Sequence, residues 1–406
     1  MKAMAMSSAT RLILAEIGFS LLVFALQKVP RGWGWTTLAL VGAIIAALPF
    51  MLALGRRRGP TAPQAMGRVL LWGIMLFTTA QLLFAIAMLV KPKVLDIGAT
   101  TLAAALALAQ GGNPYTMPID VAAGGIARSA QFHGYKYLPM MIIIYAPLCL
   151  AFGIRGIILT NVLLQAMVAG LVSSLAGRTG ERLAGLAAAL LYLSLPFVAH
   201  QVFTRGVTDL APTLLLLAAI RFGDERPFAA GVMVGFSIAT KLLPGIVMLP
   251  CALPARGRRG RYLLGVLCGL LPILPFAAAA PEAFAANIIL FNMVRPVDDT
   301  SWLFALSPVA VSVVRLAVVG LLALIAFKIW RRAPRFDERC ILTTLAILAA
   351  FAVGPGMHHN YYLWFLPFLA ILAGRAAIGA PAVVAPAATT SGRRTIDEPR
   401  VAHLGT

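Results

Sequence analysis

Long apolar runs separated by short polar gaps constrain this chain more than any other feature. Residues 69–90 form one such run, and about 20 apolar residues at 1.5 Å rise cross the roughly 30 Å hydrocarbon core of a bilayer. Hydrophobic residues make up 60% of the 406-residue chain, whereas only 12% are charged, against about 25% in soluble domains. The sequence therefore predicts an all-α polytopic membrane protein with no sizeable soluble domain.

The positive charges lie in short gaps between the runs. Clusters occur at residues 56–58, 178–182, 256–261, 328–335 and 393–394, and the net charge is +20. Clustering of this kind is typical of cytoplasmic loops, because Lys and Arg set the orientation of membrane helices. The gaps are too short to build a groove for nucleic acid, so we exclude a nucleic-acid partner.

The run at 69–90 carries the chain from a basic gap to the opposite, extracytoplasmic side. There Asp96 opens a stretch of small residues, 97–110, that is too short to cross again and ends in the breaker GGNPY at 111–115. The next run, 137–152, contains Pro139 and Pro147, which weaken a straight span. We favour a re-entrant segment at 137–152, and a full crossing is the alternative.

Residues 228–253 lie between two basic gaps and must cross the membrane an even number of times. At this length they predict two half-helices, broken near residues 241–245. The break places Lys241 within the membrane, where a charge costs about 2.5–3.5 kcal/mol on insertion scales and requires a partner or a ligand.

The two ends and the cysteines give further expectations. No small-residue cleavage site follows the apolar run at residues 12–26, which predicts an uncleaved signal anchor. Residues 1–375 form the transmembrane domain, and 376–406 form a disordered cytoplasmic tail with little to bury. The four cysteines have no paired spacing and should be core residues.

The predicted topology collects acids, histidines and aromatic residues on the extracytoplasmic side, where they are not needed to set orientation. They predict a polar site at the outer leaflet. Its candidate residues are Asp96, Asn113, Tyr115, Asp120, His133, His200, Arg205, Asp209, Arg295, Asp298, Asp299, His358 and His359.

Four segments in this order resemble glycosyltransferase family 87 of the GT-C superfamily. They are Asp96 with its small-residue helix and GGNPY, GVMVGFSIATKLLP at 231–244, RPVDDTSW at 295–302, and HHNYYLWFLP at 358–367. The resemblance covers residues 69–374. It implies a GT-C-like bundle of about 11–13 transmembrane helices, with an extracytoplasmic loop helix after the third span.

The resemblance also implies an activity: inverting transfer of a hexose from a polyprenyl-phosphate sugar to a lipid or glycan acceptor, with mannose as one possible sugar. Gly98-Ala99-Thr100-Thr101 replaces the family's aromatic-rich stretch, so the sugar stays open. The short loops favour a bacterial inner membrane. Asp96 is then the general base; Lys241, Arg295, Arg205 and His358 bind the donor phosphate; and Asn113, Tyr115, Asp209, Asp298, His359 and Asn360 contact substrate.

Several of these residues have plainer alternatives. Asp96 and Asp209 could each cap a helix, and Asn113 with Tyr115 could form only a turn. Lys241 could extend its ammonium group to a membrane surface. Asp298 and Asp299 could hold a divalent cation, although no further ligand is evident. At the level of the whole chain, the alternatives are a transporter or lipid flippase that uses the broken helices at 228–253, and a non-catalytic scaffold.

Overall fold

The computed structural model describes residues 63–92, 94–119, 133–178, 180–223, 225–254, 256–294, 297, 301–332, 334–354 and 358–378. The predicted signal anchor, Asp120, Arg295, Asp298, Asp299 and residues 379–406 lie outside these ranges. In the described ranges the secondary structure is helical. The α-helices are α1 (Pro63–Val90), α2 (Asp96–Ala109), α3 (Pro139–Phe152), α4 (Arg155–Ala176), α5 (Arg182–Leu193), α6 (Pro196–Ala199), α7 (Leu210–Phe222), α8 (Pro227–Thr240), α9 (Leu242–Met248), α10 (Arg259–Leu270), α11 (Leu274–Ala279), α12 (Pro281–Ala285), α13 (Phe291–Val294), α14 (Pro308–Arg331), α15 (Phe336–Ala352) and α16 (Leu366–Ile378).

Short π- and 3₁₀-helical segments join several of these helices. The ones that matter for the site are the π-helix His200–Thr204 and the 3₁₀-helices Trp302–Ala305 and His359–Trp364. Among the described residues, four helices are long and apolar enough to cross a membrane: Met66–Val90, Arg155–Ala176, Arg259–Ala279 and Pro308–Arg331. The pair Arg182–Leu193 and Pro196–Thr204, bent by 56°, would make a fifth span. The predicted all-α, polytopic membrane fold is therefore confirmed.

Contacts between helix ends show that the described basic gaps gather at one end of the bundle, which we call the basic end. There Arg178 pairs with Glu225 at 3.4 Å. A guanidinium nitrogen of Arg259 donates to the Trp330 carbonyl at 2.8 Å, which brings the start of α10 to the end of α14. In the same way Arg375 of α16 pairs with Asp337 of α15 at 2.8 Å. The re-entrant interpretation of residues 137–152 predicts that all of these gaps lie on one side.

The opposite end, which we call the loop end, carries α2 and α3. Arg155 at the start of α4 donates from Nε to the Leu89 carbonyl at 2.9 Å, so α4 begins where α1 finishes. The start of α5 lies beside the start of α1, because Leu183 is 3.4 Å from the Cβ position of Gly67. Residues 91–154 therefore leave and return at the same end, which favours the re-entrant interpretation of 137–152.

The broken helix predicted at 228–253 is also present. α8 ends at Thr240 and α9 begins at Leu242, with Lys241 extended between them (φ −141°, ψ 123°). Gly231 and Gly235 of α8 allow close packing on α10, because a Cβ atom at either position would clash with the backbone carbonyl oxygen of Tyr262 or Val266. Small residues permit such close approach between membrane helices. This contact fixes α8, and with it the position of Lys241 at its end.

The cysteines match their predicted role. Cys149, Cys251 and Cys340 are buried, Cys268 is half-buried, and all four are free thiols.

Candidate active site

A buried ion pair joins Lys241 to Asp209. Lys241 Nζ lies 2.6 Å from Asp209 Oδ1, and the two side chains are 8% and 0% exposed. The sequence predicted that Lys241 needs a partner or a ligand, and the structure identifies the partner. It comes from the start of α7, 32 residues earlier in the chain.

Asp209 accepts two further hydrogen bonds from the segment between α15 and α16. Asn360 Nδ2 donates to Oδ2 at 2.7 Å, and Trp364 Nε1 donates to Oδ1 at 2.8 Å. Although Asp209 occupies the N-cap position of α7, its side chain makes no capping hydrogen bond there. The cap alternative is therefore wrong for this carboxylate, which instead binds three donors from distant parts of the chain.

Three aromatic rings surround the ammonium group of Lys241. Its Nζ lies 5.2 Å from the Tyr137 ring centroid, 5.4 Å from that of Tyr361 and 5.5 Å from that of Trp364. The last two rings stack on each other at 4.5 Å. Cations are attracted to ring faces at these distances, so the rings and the Asp209 carboxylate hold Lys241 in one position.

Lys241 borders a cavity of about 390 Å³ at the loop end. Most of its wall is apolar, and Leu242, Leu243 and Ile246 of α9 are each more than 40% exposed, as expected for residues that face lipid. The cavity is lined by Lys136, Tyr137, Leu138, Thr240, Lys241, Leu242, Leu243, Pro244, Ile246, Ile288, Asn292, Ala350, Phe351, Val353, Gly354, Tyr361 and Trp364.

Lys136 is a second cation in this cavity, and the sequence analysis missed it. Its Nζ donates to the Gly134 carbonyl at 2.6 Å and to Asn287 Oδ1 at 2.7 Å, and it lies 5.4 Å from the Phe291 ring centroid. Burial lowers the pKa of Lys136 to about 8. The available signal was a lysine next to Tyr137, at the start of a proline-interrupted apolar run.

Asp96 lies near this cavity but does not line it. It is the exposed first residue of α2, and its Oδ1 accepts the Ile97 backbone N–H at 2.8 Å, whereas Leu95 occupies the N-cap position and no side-chain cap hydrogen bond forms there. Burial raises the pKa of the Tyr137 hydroxyl well above its ordinary value, and Tyr361, Asp96 and Asp209 add to the increase in that order. The carboxylate that pairs with the cavity residue Lys241 is Asp209, which is fully buried behind the cavity wall.

Asn113 and Tyr115 stabilise the loop. The Asn113 Oδ1 accepts the Tyr115 backbone N–H at 3.0 Å, which closes a turn. The Tyr115 hydroxyl donates to the Tyr137 carbonyl at 2.8 Å, and its ring packs on Phe284 with centroids 4.8 Å apart. Because Tyr115 is 1% exposed, it has no surface for a substrate, and the turn alternative describes it better.

The remaining predicted residues lie around this centre. The Arg205 carbonyl accepts the Leu95 N–H at 2.8 Å, and the Arg205 side chain is half-buried outside the cavity. His358 is half-buried with its ring 5.6 Å from that of Tyr361, whereas His133 and His200 are exposed. The structure does not describe the side chain of His359. No group of three His, Cys, Asp or Glu that could hold a metal occurs among the described residues.

Comparisons with solved structures agree on the fold. The crystal structure of ArnT from Cupriavidus metallidurans bound to undecaprenyl phosphate matches 75% of this chain, with a TM-score of 0.54 and 18% identity. The apo state of the same protein gives a TM-score of 0.50 at 18% identity. In both cases the match spans 59% of the ArnT chain, so this chain covers less than two thirds of that protein's length.

Sequence comparison gives the family. No curated protein sequence matches this chain significantly. The profile described as Glycosyltransferase family 87 matches residues 135–355, which is more than half of the chain. The matched region contains Lys136, Asp209 and Lys241, whereas Asn360 and Trp364 follow it. The fold is that of a GT-C membrane glycosyltransferase. The chain belongs to glycosyltransferase family 87.

Proposed function

We propose that this chain transfers a hexose from a polyprenyl-phosphate sugar to a lipid or glycan acceptor, by single displacement with inversion. The observation that carries the proposal is the presence of Lys136 and Lys241 in one cavity with a mostly apolar wall. A lipid phosphate needs cations for its head and apolar surface for its chain, and this cavity offers both.

The geometry of Lys241 suits a phosphate ligand. An ammonium group has three N–H donors, and Asp209 receives one of them at 2.6 Å. Leu242 and Leu243 of α9 line the cavity and are also exposed on the outer surface, where a lipid chain could leave the cavity for the bilayer. The ArnT structure contains undecaprenyl phosphate, and the shared fold supports a polyprenyl lipid here as well. Arg295, Arg205 and His358 stay as proposed outer contacts to the phosphate, and Asp298 and His359 as proposed contacts to the sugar.

Asp96 is the better candidate for the general base. Asp209 is fully buried and accepts hydrogen bonds from three donors, so it has little capacity to take a proton from an acceptor. Asp96 is exposed and, among the described residues, makes one hydrogen bond. Asp209 and Asn360 are then positioning residues that hold Lys241 in place.

The reaction follows from these positions. The acceptor oxygen attacks the anomeric carbon and its proton passes to the Asp96 carboxylate. The bond from the anomeric carbon to the phosphate oxygen breaks, and its electron pair leaves with the polyprenyl phosphate. Lys241 and Lys136 stabilise the charge that develops on that phosphate, which is most effective in a cavity with little water.

The basic end is assigned to the cytoplasm because Lys and Arg concentrate in cytoplasmic loops. The loop end, with the cavity and Asp96, then faces the extracytoplasmic side. For a chain with such short loops we propose the inner membrane of a bacterium.

The test separates donor binding from transfer. Purified protein in proteoliposomes receives radiolabelled undecaprenyl-phosphate mannose or glucose, with a total membrane lipid extract as acceptor. Asp96→Asn should bind undecaprenyl phosphate normally and lose at least about 100-fold in transfer, because a general base contributes 10²–10⁴. Lys241→Gln should weaken binding itself. The control is Glu282→Gln, an exposed acid of α12 outside the cavity.

Normal transfer by Asp96→Asn would refute the mechanism. The transporter alternative is tested with Leu242→Cys, whose labelling by a membrane-impermeant maleimide should occur from the extracytoplasmic side alone. Labelling from both sides in alternation would favour transport.

A further inference from the structure

A second cavity of about 390 Å³ lies at the loop end, between α14 and the 3₁₀-helix Trp302–Ala305. The first two turns of α14 contribute residues with spacing i, i+3, i+4 and i+7, which form one helix face. The opposite wall comes from the 3₁₀-helix. The residues used below are Leu303, Phe304, Val311, Ser312 and Arg315.

Arg315 is the charge in this cavity, and the mechanism above does not use it. It lies seven residues after Pro308, about 10 Å along the helix axis at 1.5 Å per residue, and so within the apolar span. Its Nε donates to the Val353 carbonyl at 3.2 Å. No carboxylate among the described residues pairs with it, although a guanidinium carries five N–H donors. A charge inside a membrane helix calls for a partner, so the remaining donors point to a ligand.

The surroundings of Arg315 show which kind of ligand fits. Val309, Val313 and Leu316 on the adjoining face of α14 are 60–74% exposed, and Phe304 is 62% exposed. These side chains would contact hydrocarbon chains. A free anion would leave that apolar surface uncovered, whereas an anionic lipid covers it and brings a phosphate to the guanidinium, which binds phosphate with paired donors.

We propose that Arg315 binds the phosphate of an anionic membrane lipid in this cavity, at a site separate from the donor cavity. The two sites are neighbours, because Val353 lines the donor cavity and its carbonyl accepts the Arg315 hydrogen bond. Binding of this lipid requires no sugar transfer, so it can be measured on purified protein without a donor.

The experiment measures whether a lipid occupies the cavity, by the accessibility of a cysteine placed in its wall. In Ser312→Cys, the rate of maleimide labelling is followed by mass spectrometry of the peptide that contains residue 312, in neutral detergent. Dilauroyl phosphatidylglycerol should slow labelling, and more salt should weaken this protection. Dilauroyl phosphatidylcholine and inorganic phosphate at the same concentration should not protect.

Adding Arg315→Gln should raise the phosphatidylglycerol concentration for half-protection at least about tenfold, since a charge-assisted hydrogen bond is lost. The matched control is Lys328→Gln, an exposed cation at the other end of the same helix, which should leave that concentration unchanged. Equal protection in Arg315→Gln would overturn the proposal, and so would equal protection by phosphatidylcholine. Protection by inorganic phosphate alone would show a free-anion site instead. Because lipid selectivity and salt dependence are measured with Arg315 intact, the test stands even if Arg315→Gln fails to fold.

Discussion

The ion pair between Asp209 and Lys241 gives the sharpest test of the structure. Removing one member of a buried pair typically costs about 3–5 kcal/mol, because the other charge stays buried without its partner. Lys241→Met leaves the fully enclosed Asp209 carboxylate with only neutral donors, from Asn360 and Trp364. We expect a cost near the upper part of that range.

Asp209→Asn should cost less, near the lower part of the range. Lys241 borders the cavity, so water can reach an ammonium group that has lost its carboxylate, and the three rings still attract it. The double variant carries no buried charge at this position. It should therefore be more stable than Lys241→Met alone, with a coupling free energy of about 2–3 kcal/mol between the two sites.

The measurement is the free energy of unfolding in mixed dodecylmaltoside and SDS micelles, followed by circular dichroism. Arg178→Gln is the control, because its partner Glu225 is 59% exposed and such surface pairs contribute below about 1 kcal/mol. Additive losses in the double variant, within about 0.5 kcal/mol, would show that the two side chains do not interact. A larger cost for Asp209→Asn than for Lys241→Met would contradict the assigned burial.

Four further outcomes follow from particular contacts and from the pKa of Lys136. Trp364→Phe removes one donor to Asp209 and should lower the free energy of unfolding by about 1.5–3 kcal/mol in the same micelle assay, together with donor affinity. Gly235→Leu should prevent α8 from packing on α10 and abolish the monodisperse peak in size-exclusion chromatography, whereas Gly320→Leu, which has open space around its Cβ position, should elute normally. Undecaprenyl phosphate binding should weaken as pH rises through about 8, where Lys136 loses its proton, and Lys136→Arg should bind up to about pH 10. The free energy of unfolding should instead rise with pH between pH 8 and 10.5. In this range Lys136 keeps its proton in the unfolded chain but loses it in the folded one.

The sequence predicted those features that depend on local pattern. Apolar runs of span length and clustered arginines predicted an all-α membrane bundle with its basic gaps on one side, because the bilayer imposes its thickness and the loops carry the orientation signal. The break at Lys241 followed from the same reasoning, since residues 228–253 are too few for two full spans and lie between two basic gaps. Both features are independent of how the helices pack.

The partners within the site depend on packing, and here the sequence was less informative. Lys241 needed a counter-charge, but Asp96, Asp209, Asp298 and Asp299 all fell on the predicted outer side. Which of them reaches Lys241 depends on the rotation of α7 against α8. Lys136 was overlooked for a related reason. The position of the Lys136 ammonium group in the cavity depends on Asn287, which is 151 residues away and accepts its hydrogen bond.

A backbone hydrogen bond links the segments that carry Asp96 and Asp209. This link bears on the two roles in the proposed mechanism, which are to hold Lys241 and to accept the proton. The Leu95 N–H, directly before Asp96, donates to the Arg205 carbonyl at 2.8 Å, and Arg205 lies four residues before Asp209. The start of α2 is thus tied to the segment that places Asp209 against Lys241. A carboxylate that neutralises and orients Lys241 must stay ionised and buried, whereas a base must be reachable by the acceptor and able to take up a proton. One residue cannot satisfy both demands, and the proposed mechanism therefore uses two. The buried Asp209 would hold Lys241 for a lipid phosphate that arrives through the bilayer, and the exposed Asp96 would serve an acceptor that arrives at the membrane surface.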